Sequence, residues 1–270
     1  MQAPMASRRS GAMESRAYGS KEEMAGPSSS SKYDQYRDIE SQEELLVPGM
    51  SKTDNMLRWG FIRKVYGIVS LQLILTAIVA GIIYAVPPVR GFVTSSLAFQ
   101  LTFAILPLVG LIPLFIYARQ HPTNIILLGV WTACMSVGLG TACTVYEPAI
   151  VLEALCLTAA IVVGLTAYTF WAVRKGYSFQ RLGPILFCAL CGLVMWSFLQ
   201  LILGSYLGPA SRTIFALLGA IVFSAYIVLD TENLIAKHDL DDYVAASLSL
   251  YLDIINLFLT LLRLLGNNRN

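Results

Sequence analysis

Two aspartates, Asp230 and Asp253, sit inside apolar stretches late in the chain, where carboxylates are least expected. A charged Asp at the centre of a bilayer helix costs about 2.5–3.5 kcal/mol on insertion scales, so such residues turn to a bundle interior, where they pair or line water. On a helical wheel, Ser249, Asp253, Asn256, Thr260 and Arg263 fall within an arc of about 80°, one polar stripe on an otherwise apolar helix. The preceding apolar segment has a matching stripe, with Tyr226, Asp230, Asn233 and Lys237 spaced by four, three and four residues. A short loop joins the two segments, which are therefore antiparallel neighbours. Asp230 and Asp253 lie about 8 and 14 Å from that loop at 1.5 Å per residue, so modest tilt brings them together. Two carboxylates in a low-dielectric site do not both ionise; they share a proton. With Asn233, Asn256 and water they also supply hard oxygen ligands, a weak Ca²⁺ site rather than a tight cage of 6–8 oxygens. The alternative is that the pair locks two helices together through hydrogen bonds alone.

The other intramembrane acids read differently. Glu153 follows Pro148 by little more than a turn, near the headgroups and a favourable helix N-terminus. Glu232 is about 200° from Asp230 around the helix and is expected at the interface. Arg119 ends the second span at about the depth of Asp230, and is either a cationic partner for that aspartate or an interfacial anchor.

The elements that must position these residues follow from composition. The 270 residues are 56% hydrophobic and 13% charged, against about 25% charge in soluble domains. Nine of the 17 acids precede residue 55. A helix needs roughly 20 apolar residues to cross a bilayer, and seven such stretches appear near 65–86, 95–117, 123–145, 149–172, 183–204, 213–235 and 244–265. Short Pro-, Gly- or charge-bearing breaks separate them, leaving no room for a soluble domain. The expected organisation is a disordered cytosolic tail over 1–56, poor in aliphatic residues, and a membrane domain over 57–270. With the tail cytosolic, that side carries Lys52, Arg58, Arg63, Lys64, Arg119, Arg174, Lys175, Arg181 and Lys237, and the other only Arg90, Arg212, Arg263 and Arg269, as the positive-inside rule requires.

Several function classes find no support. The five cysteines (Cys134, Cys143, Cys156, Cys188, Cys191) are odd in number and lie in or beside apolar spans, so a disulfide framework is not expected. The histidines are His121 and His238, both in loops, and no metalloprotease, phosphate-loop or haem motif appears. No enzyme and no cofactor are expected. Basic residues interleaved with Trp59, Phe61, Tyr66, Trp171 and Tyr177 read as an interfacial belt touching lipid, not as a nucleic-acid surface.

Four stretches, LRWGFIRKVYGIVSLQLILT, LTAYTFWAVRKGYSFQRLGPILF, YIVLDTENLI and DDYVAASLSLYLDIINLFLTLLRLL, resemble the Bax inhibitor-1/Lifeguard family, its plant Lifeguard branch above all. The resemblance covers about residues 57–265. It implies an all-α integral membrane protein, a seven-helix bundle with the last helix central and enclosed by the others. It further implies a pH-sensitive Ca²⁺ leak from internal stores and restraint of programmed cell death. The family's paired pH-sensing aspartates fall on Asp230 and Asp253; Leu229 stands where the family often has Tyr. Implied partners are membrane lipid, Ca²⁺, protons and membrane cell-death regulators. The implied setting is the endoplasmic reticulum or another endomembrane, with plasma and vacuolar membranes as further settings. The rival reading is an interaction protein that restrains cell death without its own ion flux; a seven-helix receptor is the third.

Overall fold

In the computed structural model, residues 46–47, 49–203 and 208–269 are described. The tail expected over 1–56 falls outside them up to residue 45. Among the described residues the architecture is all-helical: α1 (Lys52–Ala85), α2 (Pro87–Ser95), α3 (Leu97–Ile116), α4 (Thr123–Cys143), α5 (Pro148–Arg174), α6 (Leu182–Leu203), α7 (Pro209–Ala236) and α8 (Tyr243–Arg269). All but α2 are long and apolar enough to cross a membrane, seven in number as the hydropathy pattern requires. Proline opens α2, α5 and α7, where its missing N–H has no intrahelical partner to lose.

Two departures from the sequence reading concern the first span. α1 begins at Lys52, ahead of the apolar stretch expected near 65 and of the boundary expected at 57. Leu46, read as part of a solvated leader, is fully buried in the main core, and its N–H donates to Asn55 Oδ1 at 3.2 Å. Isolated aliphatic residues in a polar stretch carry no periodicity, so this anchor is invisible to pattern reading. The break VPPVRG is likewise not a bare turn but the start of α2.

α8 is the central helix. In its most apolar window 72% of residues are buried, against 11–39% in the other spans. It packs against α7, α5, α1 and α4, while α3 lies mainly on α4 and α6 on α7. The outward faces of the other helices carry exposed Leu, Ile, Val and Phe, such as Leu71, Ile74, Ile78 and Ile82 on α1, as lipid contact requires. α8 cannot take such a place, because it carries polar groups on opposite faces, Tyr251 and Asp253. Each needs a partner helix, since unsatisfied polar groups in hydrocarbon are costly. Two glycines set the close approaches. A Cβ on Gly219 of α7 would stand 2.6 Å from Thr260 Cγ2 of α8, and one on Gly140 of α4 would stand 3.0 Å from the Ala80 Cα of α1.

Successive spans reverse direction, so the molecule has two ends. The entry face, where α1 begins, gathers the α3–α4, α5–α6 and α7–α8 connections. The far face gathers α2, the α4–α5 turn, the start of α7 and the end of α8. Tyr84 Oη donates to the Tyr146 carbonyl at 3.0 Å on that far face.

Candidate functional site

α7 and α8 place the two aspartates opposite one another on the entry-face half of their seam. Asp230 is half-buried and Asp253 is 8% exposed. Their carboxyl groups lie within hydrogen-bonding reach of each other, and Asp230 is also within reach of the Ser249 hydroxyl and the Asn233 amide. A carboxylate only accepts, so a hydrogen bond between the two acids needs a proton on one of them. Asp253 Oδ2 is buried and has no hydrogen-bond partner. Tyr226 stands half-buried within electrostatic range of both acids.

The polar stripe on α8 divides into two parts. Ser249 and Asp253 belong to the site. Asn256 Nδ2 instead donates to the Leu252 carbonyl at 2.8 Å, and Thr260 Oγ1 to the Asn256 carbonyl at 2.9 Å. These two groups return their hydrogens to their own helix. Sharing a helix face therefore does not bring them into the acid pair.

Two readings made from the sequence need correction. Arg119 is not the partner of Asp230. Its Nε and Nη2 clasp both carboxylate oxygens of Asp242 at 3.0 and 3.2 Å, and Asp239 lies 3.7 Å away. The α7–α8 loop thus offers carboxylates at the surface that intercept the guanidinium before it reaches the bundle interior. Glu232 is not a peripheral interfacial acid. It is 3% exposed and accepts from Ser178 Oγ at 2.7 Å and from the Phe179 N–H at 2.8 Å. The loop after α5 folds over it and supplies the donors, which hydropathy along α7 alone does not reveal.

The same loop reaches the site from above. Gln180 Nε2 donates to Asn233 Oδ1 at 3.2 Å, so Asn233 bridges the loop and Asp230. His238, in the α7–α8 connection, lies within electrostatic range of Asp230, and Arg58 of α1 donates to its carbonyl. Sequence reading missed Gln180 and His238 as neighbours of the pair; their only signal was position in loops at the same face.

A second polar cluster, also missed, lies on the opposite face of α8. Thr76 Oγ1 and Tyr251 Oη are 2.9 Å apart, Ser136 Oγ donates to Thr76 Oγ1 at 3.0 Å, and Gln72 Nε2 donates to Thr132 Oγ1 at 2.9 Å. All five residues are buried. Neutral hydroxyls spread over α1, α4 and α8 give no cluster along the sequence.

Among the described residues no group of three or more His, Cys, Asp or Glu side chains gathers to hold a metal ion. The oxygens at the pair come from two acids, an amide and a hydroxyl. That set falls short of the 6–8 oxygens that a resident Ca²⁺ takes.

The class is now defined: an all-helical membrane bundle closed around a central last helix, with two acids, one buried and one half-buried, paired on that helix's seam. Residues 58–270 match the family profile described as inhibitor of apoptosis-promoting Bax1. The chain is 48% identical over 228 residues to a BI1-like protein of Arabidopsis thaliana, covering 84% of this chain and 88% of that one. It is 42% identical over 236 residues to Protein LIFEGUARD 2 of the same plant, with 86% and 98% covered. A Golgi anti-apoptotic protein of Vaccinia virus is 37% identical over 210 residues, with 77% and 86% covered. The chain belongs to the Bax inhibitor-1/Lifeguard family.

Proposed function

We propose that this protein is a pH-sensitive Ca²⁺ leak pathway of an endomembrane, not an enzyme, and that it restrains programmed cell death by lowering stored Ca²⁺. One observation carries the reading: two carboxyl groups meet in the α7–α8 seam, and one oxygen, Asp253 Oδ2, is buried without a partner. A pair that shares a proton holds α7 against α8. When the proton leaves, two like charges face each other in a low-dielectric seam, which favours separation or neutralisation by a cation. The seam then presents carboxylate, amide and hydroxyl oxygens to Ca²⁺. The basic residues crowd the entry face, which supports a cytosolic side for that face and for the acid pair near it. Support for the cell-death arm comes from relatives whose names state an anti-apoptotic role, and for an endomembrane from the Golgi in one of those names.

The test is Ca²⁺ flux from liposomes holding only the purified protein. Wild type should release Ca²⁺ at a rate that changes with pH, and Asp230→Asn and Asp253→Asn should each flatten that change. The double variant should add little, since the pair titrates as one unit. Wild-type vesicles that pass no Ca²⁺ at any pH would sink the leak and leave the interaction-protein reading. A full pH response in either single variant would sink the shared proton.

A further inference from the structure

The far end of the α7–α8 seam, opposite the acid pair, opens into a cavity of about 650 Å³ between α6, the first turns of α7 and the last turns of α8. Two guanidinium groups line it, Arg212 of α7 and Arg263 of α8, and none of the described residues lining it is an acid. Among the described residues neither arginine forms an ion pair. Arg263 lies over the Phe215 ring, 5.9 Å from its centroid. Gln200 of α6 lines the same cavity, and its amide nitrogen is buried with no hydrogen-bond partner. Two like charges and an unused donor around one space call for an anionic acceptor.

Depth and the remaining wall narrow the ligand. Arg212 is three residues into α7 and Arg263 six residues from the end of α8, about 5 and 9 Å along the helix axes. A hydrocarbon core of about 30 Å widens to 40–45 Å with headgroups, roughly 5–7.5 Å a side, so by helix length Arg212 is placed in the headgroup layer and Arg263 just beneath it, where a long side chain reaches up to it. Beside Ser197 and Gln200, α6 adds an apolar flank that faces outward, with Phe198 57% and Leu201 82% exposed. Polar donors at headgroup depth beside an apolar flank match a molecule with a phosphate and an acyl chain. A zwitterionic headgroup would bring its own cation against the arginines, so a net negative one is favoured.

We propose that this cavity binds one anionic phospholipid. Its phosphate accepts from Arg212, Arg263 and Gln200, and its chain lies along Phe198 and Leu201. Such a lipid ties α6 and α7 to the end of the central helix. The site stands on its own geometry and does not depend on the Ca²⁺ reading.

The experiment uses the full-length protein in nanodiscs of phosphatidylcholine with increasing phosphatidylglycerol, and counts retained lipid by native mass spectrometry. Phosphatidylglycerol should be retained over phosphatidylcholine. Arg212→Gln and Arg263→Gln should each weaken retention about fivefold, the effect of roughly one basic residue at an anionic surface. Lys175→Gln, which removes a charge on the other face, should leave retention unchanged. Gln200→Leu keeps both charges, so it tests the site even if an arginine variant fails to fold, and it should lower retention several-fold. Wild-type retention in the double arginine variant or in Gln200→Leu overturns the proposal. A separate arm adds inorganic phosphate to pure phosphatidylcholine nanodiscs. Arginine-dependent thermal protection by phosphate, with no preference for phosphatidylglycerol, overturns the lipid assignment in favour of a small-anion site.

Discussion

The central helix carries two buried polar seams, and they are built on different principles. Toward α7 it presents Asp253 to Asp230, with a carboxylate oxygen left unpartnered. Toward α1 and α4 it presents Tyr251 to Thr76 and Ser136, where each hydroxyl is engaged. That neutral seam has an orphan of its own, Gln72 Oε1, but an amide oxygen does not titrate. One seam carries carboxyl groups and the other only hydroxyls and amides. On the proposed leak reading the first seam opens while the second holds, and α8 carries both two residues apart because a step of two is about 200° around a helix.

The largest expected effect separates the two seams directly. In liposomes, Asp253→Asn should remove the pH dependence of Ca²⁺ release, whereas Tyr251→Phe should leave it in place. Should Tyr251→Phe flatten the response as well, the seams are coupled and the division between them fails.

Next in size is packing. A methyl added at Gly140 meets the backbone of α1 at Ala80, which cannot move alone, whereas one at Gly219 meets only the Thr260 side chain, which can rotate. Overpacking costs about 1–3 kcal/mol; Gly140→Ala should fall high in that range and Gly219→Ala low. Thermal melting in detergent reads the order, and the reverse order would mean the neutral seam is the more yielding one.

Glu232→Gln tests the loop that roofs the charged seam. The amide can still accept from one donor, but its NH₂ opposes the other, so about 1.5–3 kcal/mol of charge-assisted bonding is put at risk. The expected readout is faster proteolysis at residues 175–181 with the fold intact. Unchanged proteolysis would remove Glu232 as the anchor of that loop.

Smaller still is Tyr251→Phe on stability, about 0.6 kcal/mol for an intramembrane hydrogen bond. Arg119→Gln should be similar or less, because an exposed pair contributes about 0.2–1 kcal/mol; Arg119 is 67% exposed and Asp242 25%. It should not move the pH midpoint of Ca²⁺ release, since its partners are Asp239 and Asp242. A shifted midpoint would show that the guanidinium does reach the acid pair.

By itself the sequence determined the seven spans and the two aspartates facing one another. Span lengths follow from bilayer thickness, and the aspartates stand out because an acid in an apolar helix is expensive wherever it points. Both are local facts, readable along one or two neighbouring segments. Only tertiary structure decided who serves the pair. Arg119 was drawn to Asp242 by a loop that folds back, Glu232 was buried by a loop from fifty residues earlier, and Gln180 reached Asn233 from that same loop. The neutral seam and the two-arginine cavity were decided there as well. Each takes uncharged or single polar residues from three helices, and no segment alone holds enough of them to break its hydrophobic pattern. Periodicity reports which face of a helix is polar, but which neighbour meets that face depends on how seven helices pack at once.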